Sequence, residues 1–284
     1  MNLKFKLFLA SLCTLVLIIV SFAVKCPAAN DYLPGDSLKS NSSKPLVSPA
    51  PPSLAVVNQA EPKMTTFPKA GIPVLMYHSI KTLPGNSLGV PVKQFTEEIT
   101  WLHNKGYHSI TTDELYQTLA NKAPIPEKPI LLTFDDGYSD NYTSAWPILQ
   151  KSGFRATFFI VTNSVGQGMM SWDQLSDLVK QGNSIGSHTV HHLDLSKLSY
   201  NKQENELISS KEALENHLGI KVQALCFPSG KFNKTTLELM AKTGYQLGFT
   251  TKQGRVHSGD DLLTLRRERI YGGMPLPSFQ KLFP

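Results

Sequence analysis

The chain has 284 residues, 41% of them hydrophobic and 18% charged, which suffices for one sizeable core or two small ones. Its net charge of +6 is concentrated before Gly71, where seven lysines face three acidic residues. The remainder carries no basic run or cationic helical stripe, which argues against a nucleic-acid partner, and Cys13, Cys26 and Cys226 form no disulfide framework.

Lys4 and Lys6 precede an uncharged apolar run over residues 7–24, long for a secretory segment and just long enough to span a bilayer. Residues 1–27 therefore read as a signal peptide or an N-terminal membrane anchor, with Pro27-Ala28-Ala29 as a cleavage site. Either way the positive flank stays inside, the rest is exported, and membrane contact persists only if the segment is uncleaved. Cys26 follows Lys25, a poor fit to a lipidation site. Residues 28–70 turn to Pro, Ser, Asn and Lys, too few apolar groups to offset ordering entropy, and read as a disordered tether.

From Gly71 to Pro284 short apolar runs alternate with amphipathic stretches. The pattern predicts a strand over 73–77, a helix over 92–105 ending at Gly106, and a helix to 121 opened by the capping-box spacing of Thr111 and Glu114. A strand over 130–134, a helix over about 142–151 and a strand over 156–161 follow. Ser171 and Gln174 open a helix to 180, before a short strand over 184–186 and a long helix over 200–217. Strands over 222–227, 246–250 and 263–270 and helices over 234–242 and 275–282 complete the chain. Fully apolar strands alternating with helices imply parallel βα units. The length fits a single distorted or incomplete (β/α) barrel of about seven parallel strands spanning residues 71–284.

In such folds the reactive groups sit where strands end. Thr133-Phe134-Asp135-Asp136-Gly137 closes the strand over 130–134, and two adjacent carboxylates after an apolar strand are costly to bury unpaired. A helix cap or solvated loop is the plain alternative; the chemical one is that one aspartate ligates a cation while its neighbour faces a water. His188-Thr189-Val190-His191-His192 follows the strand over 184–186. His188 and His192 are four apart, so one helical turn would present both imidazoles to one ion. With Asp136 they would make a two-histidine, one-carboxylate site, suited to zinc hydrolysis and equally to non-haem iron chemistry.

These two motifs, in this order, resemble the first two motifs of the NodB-homology polysaccharide deacetylases, carbohydrate esterase family 4. The resemblance covers roughly residue 128 to the C-terminus and implies Asp136, His188 and His192 as metal ligands and Asp135 as general base. It implies a divalent ion, zinc first, with cobalt or nickel as alternatives. His191 falls in the variable interior of its motif. Phe227-Pro228-Ser229-Gly230 stands where the family carries a third motif, with Pro228 and Gly230 shaping a turn whose Ser229 amide faces the oxyanion. The family's usual arginine in that motif is replaced by Cys226, which reads as a small buried residue, and Arg267 is the substitute expected to balance Asp135. No histidine follows His257 to supply the usual C-terminal motif. Val74-Leu75-Met76-Tyr77-His78 instead looks like the rearranged branch that includes poly-β-1,6-N-acetylglucosamine deacetylases, which makes His78 the expected general acid. Trp172 is the candidate sugar-stacking aromatic.

The resemblance thus implies an extracytoplasmic hydrolase that removes N-acetyl groups from an N-acetylglucosamine-containing polysaccharide, either peptidoglycan or an exopolysaccharide. An O-acetyl polysaccharide esterase, an iron oxygenase on the same ligands and a catalytically silent glycan-binding module are the competing readings.

Overall fold

The computed structural model describes residues 62–283. Its first element is a two-residue strand, Met64–Thr65 (β1), followed by Val74–Tyr77 (β2), helix Val92–Asn104 (α1), His108–Ile110 (β3) and helix Thr112–Asn121 (α2). Ile125–Pro126 (β4) and Pro129–Phe134 (β5) lead through a π-helical turn, Asn141–Ala145, into helix Trp146–Lys151 (α3). Then come Thr157–Ile160 (β6), helix Trp172–Lys180 (α4), Ser184–Ser187 (β7) and the long helix Tyr200–Leu218 (α5). Ala224–Cys226 (β8), helix Lys234–Thr243 (α6), Leu247–Phe249 (β9), Glu268–Arg269 (β10) and helix Leu276–Gln280 (α7) end the chain.

Seven parallel strands line up in the order β10-β2-β5-β6-β7-β8-β9, with β3 also paired to β5. Leu265, just ahead of β10, bridges to Phe249 of β9, so the last segment touches both ends of the curled sheet. The expected incomplete barrel is what forms. Pleating then sorts the side chains by parity. Leu75, Tyr77, Leu132, Phe134, Phe158 and Ile160 face the helices in one core, while Val74, Leu131, Phe159, Ala224, Cys226, Phe249 and Leu265 fill the interior in another. On the helix side, Tyr77 stacks on Phe134 and Phe134 on Phe158, at 5.3 and 5.1 Å between centroids. Full burial of each such side chain contributes about 1.5–3 kcal/mol. On the inner side Gly186 allows the close approach of Phe159, whose ring a Cβ there would strike.

The capping boxes expected at Thr111 and Ser171 both form, because each hydroxyl accepts the N3 amide and the N3 side chain accepts the cap amide in return. Three expectations are corrected. The helix over 142–151 is an α-helix only from Trp146, with the π-helical turn ahead of it. The strand over 263–270 shrinks to Glu268–Arg269 plus the Leu265 bridge, because Arg267 between them turns inward to pair with groups inside the barrel. Folded chain also begins before Gly71: β1 pairs antiparallel with β4, and Lys63 forms an ion pair with Glu127 at 3.0 Å. The segment 1–27, and the tether as far as residue 61, lie outside the described residues. No helix among the described residues is long and apolar enough to cross a membrane.

Candidate active site

Continuing the inward parity past each strand end brings His78 after β2, Asp135 after β5 and His188 after β7 to the same end of the barrel, with Cys226 and Arg267 on the same interior. Asp135 still belongs to the sheet, since its N–H donates to the Tyr77 carbonyl at 3.0 Å. Asp136 turns away with φ 74°, which is why two adjacent carboxylates end up with separate surroundings.

Asp135 is 2% exposed and is gripped by Arg267, which donates Nη1 to Oδ1 and Nη2 to Oδ2, both at 2.7 Å. Arg267 is itself fully buried, and its remaining donors go to the Thr250 carbonyl, Thr133 Oγ1 and Cys226 Sγ, each at 3.0 Å. Burial alone would favour neutral Asp135; the Arg267 charge and hydrogen bonds override it and hold the carboxyl well below the usual carboxylate range. Cys226 is buried as expected, but it is not merely apolar filler: its Sγ also donates to Asp135 Oδ2 at 3.5 Å. Burial pushes the thiol pKa up, which keeps that proton in place.

His188 is 2% exposed, and its Nδ1 lies 2.7 Å from the Cys226 carbonyl. A carbonyl can only accept, so Nδ1 carries the proton and Nε2 presents a lone pair when the ring is neutral. That Nε2 and His192 Nε2 each stand 3.4 Å from Asp136 Oδ1. Two atoms each ~2.0–2.1 Å from one tetrahedrally ligated ion are separated by roughly 3.4 Å. Spacing and donor set therefore fit a cation. The histidines do not converge through the expected helical turn. Residues 188–192 form a loop in which Thr189 and His192 adopt left-handed φ of 69° and 57°, folding His192 back towards Asp136.

His78 Nε2 lies 3.9 Å from Asp135 Oδ2, and its buried Nδ1 has no hydrogen-bond partner. Burial lowers its pKa, with Asp135 and Asp136 pulling the other way. The His78 segment is tied to the π-helical turn by Asn141 Nδ2, which donates to the His78 carbonyl at 2.6 Å. Buried Asp140 accepts Ser79 Oγ at 2.8 Å and the Ile80 amide at 2.7 Å. Neither Asp140 nor Asn141 was legible as a site residue, since a polar run after a strand looks like a solvated cap. Pro228–Gly230 forms a tight turn with exposed Ser229 at φ 52°, and a Cβ at Gly230 would run into Thr251. Trp172 opens α4 with one face of its indole stacked on His217 at 4.0 Å, so that face is already covered.

Residues 122–248 match the family model described as polysaccharide deacetylase. The chain is 39% identical over 211 residues to the Bacillus subtilis protein named "Putative polysaccharide deacetylase YxkH", covering 74% of this chain and 75% of that one. Among solved structures it is similar to the Streptococcus pyogenes deacetylase PplD in complex with acetate, with a TM-score of 0.71 and 31% identity, covering 78% of this chain and 99% of that one. It is also 27% identical over 179 residues to the Staphylococcus epidermidis poly-β-1,6-N-acetyl-D-glucosamine N-deacetylase, covering 58% of this chain and 62% of that enzyme, under two thirds of its length.

Proposed function

The chain belongs to the polysaccharide deacetylase family, and from that premise we propose that it hydrolyses the N-acetyl groups of N-acetylglucosamine units in an extracytoplasmic bacterial polysaccharide, peptidoglycan or poly-N-acetylglucosamine. The observation that carries this reading is a possible cation group, Asp136, His188 and His192, next to a carboxylate that Arg267 keeps ionised.

Asp136, His188 and His192 would hold a divalent ion, zinc, or alternatively cobalt or nickel. Such an ion supplies Lewis-acid polarisation and makes water more acidic at neutral pH. Asp135 accepts the proton of the attacking water, and its grip by Arg267 fixes which oxygen faces the reaction. Its Oδ2 lies 3.9 Å from His78 Nε2, which supports a role for the two groups in the same reaction. Because burial favours the neutral ring, His78 takes up the proton during the reaction and delivers it to the departing nitrogen, leaving acetate and a free amine. The backbone amide of Ser229, an exposed residue in the turn shaped by Pro228 and Gly230, is the candidate donor to the developing oxyanion.

The test is acetate release from N-acetylated and O-acetylated polymers, before and after chelation and re-addition of zinc, cobalt or nickel. Metal-dependent release with appearance of free amine is expected. Release from O-acetyl polymers alone would reassign the site to ester hydrolysis, and binding without release would reduce it to a glycan-binding module.

A further inference from the structure

The loop between His188 and His192 has an unfavourable backbone. Thr189 is β-branched and sits at φ 69°, and His192 sits at φ 57°. Left-handed conformations at such residues persist only where surrounding contacts over-determine them. One side chain makes three of those contacts. Glu206, on the second turn of α5, is 3% exposed; its Oε2 accepts the amides of Val190 and His191, both at 2.9 Å, and its Oε1 meets His191 Nδ1 at 2.6 Å. Burying a carboxylate is costly without compensation. Among the described residues no lysine or arginine pairs with Glu206, so its compensation comes from this loop.

We infer that Glu206 is a positioning residue for cation binding: it holds the 189–192 turn so that His192 faces Asp136, and thereby sets metal affinity without touching the ion. The inference rests on the proposed ligand role of Asp136, His188 and His192. Other bonds fix the ends of the loop, since Ser187 Oγ accepts the Thr189 amide at 3.0 Å and Thr189 Oγ1 accepts the His192 amide at 3.1 Å. The Thr189 and Val190 carbonyls accept the Thr162 and Asn163 amides, each at 3.1 Å. These leave the amides of Val190 and His191 to Glu206. Without it two N–H groups must find water, and the turn can relax to a cheaper conformation that swings His192 away. His188 is anchored separately through Cys226, so the loss falls on one of three ligands and weakens the site rather than abolishing it.

The test titrates the purified full chain with Zn²⁺ against a chromophoric chelator, alongside turnover at low and saturating zinc. Glu206→Ala should raise the zinc Kd by about 10–100-fold, the usual effect of losing a partner that orients a ligand. Turnover should recover when zinc is raised. Glu206→Gln keeps an oxygen for both amides and should stay near wild type, whereas Glu206→Asp, one methylene short, should weaken zinc as Ala does. If Glu206→Ala does not fold, Glu206→Asp carries the test. Wild-type zinc affinity in the folded Ala or Asp variant, or lost turnover that zinc cannot restore, would overturn the inference. A wild-type chain that binds no zinc, or His188→Ala binding it as tightly as wild type, would instead sink the ligand assignment itself.

Discussion

Arg267 and Asp135, 132 positions apart in sequence, meet inside the barrel through two parallel hydrogen bonds of 2.7 Å. The pair is buried, so each charge depends on the other, and breaking such a pair by removing one partner typically costs 3–5 kcal/mol, about enough to endanger the fold. Arg267→Met should therefore lower the denaturation midpoint and cut turnover, because Asp135 loses both its orientation and its counter-charge. Arg267→Lys restores the charge as a point rather than a fork and should recover stability better than rate. Equal recovery of both would show that orientation is unimportant.

Asp135 and Asp136 should separate cleanly in their response to amidation. Asp136→Asn or His188→Ala is expected to lower zinc content and turnover together, measured by elemental analysis and acetate release. Asp135→Asn should keep most of the metal while losing turnover by ~10²–10⁴. Equal metal loss in the two aspartate variants would refute this division.

The strands of the barrel were legible because runs such as Ile130-Leu131-Leu132 can only be buried on both faces, and the helices because Thr111 and Ser171 announce their own starts. What escaped has a common physical origin. Strands β1, β3 and β4 have two or three residues each, too few for any periodicity. Glu206, Asp140 and Asn141 lie in polar stretches where a solvated side chain and a buried clamp have the same spelling; only the tertiary partner distinguishes them. The spacing of His188 and His192 suggests a helical turn, whereas a loop with left-handed Thr189 and His192 is what brings both rings to 3.4 Å from Asp136. Arg267 was suggested by the absence of an arginine at Cys226, and its burial beside Asp135 needed the fold.

The N-terminal edge of the domain gives a stability test. Phe67 packs against the inner core, and β1 covers β4, so chains beginning at Pro62 and at Gly71 should differ. Losing a partly buried phenylalanine and a short pairing should cost about 1–2 kcal/mol, or roughly 2–8 °C in Tm for a domain of this size. Identical melting curves would show that residues before Gly71 contribute nothing.

Glu98 predicts a pH dependence away from the site. It is 1% exposed on α1 and accepts Tyr77 Oη and Gln94 Nε2, each at 2.9 Å; burial pushes its pKa to about 7, with Glu97 nearby adding to the rise. The unfolded carboxyl titrates near its ordinary value of 4.5, so between there and about 7 the unfolded chain binds fewer protons than the folded one. Stability should therefore fall as pH rises through that window, by about 3 kcal/mol at most, and then level off. Glu98→Gln should flatten this slope in urea denaturation series. An unchanged slope would mean that Glu98 is already ionised in the folded state.

His78 lies far upstream of the two metal-motif strands, yet parity on β2 and the pairing of β2 with β5 bring its Nε2 to 3.9 Å from Asp135 Oδ2. It is not a member of the Asp136, His188 and His192 group, so removing it should leave zinc affinity unchanged. What it should remove is the delivery of a proton to the leaving nitrogen, a step that the proposed ligands Asp136, His188 and His192 would not be free to perform. His78→Ala is expected to lose ~10²–10⁴ in kcat, the range for one acid–base group, with KM little altered. Asn141→Ala, which frees the His78 carbonyl without touching the imidazole, should lose less and mainly in kcat. A substrate with a leaving group that needs no proton should then be cleaved almost as fast by His78→Ala as by the wild type. If the alanine variant is equally slow on both substrates, His78 shapes the pocket instead of moving a proton.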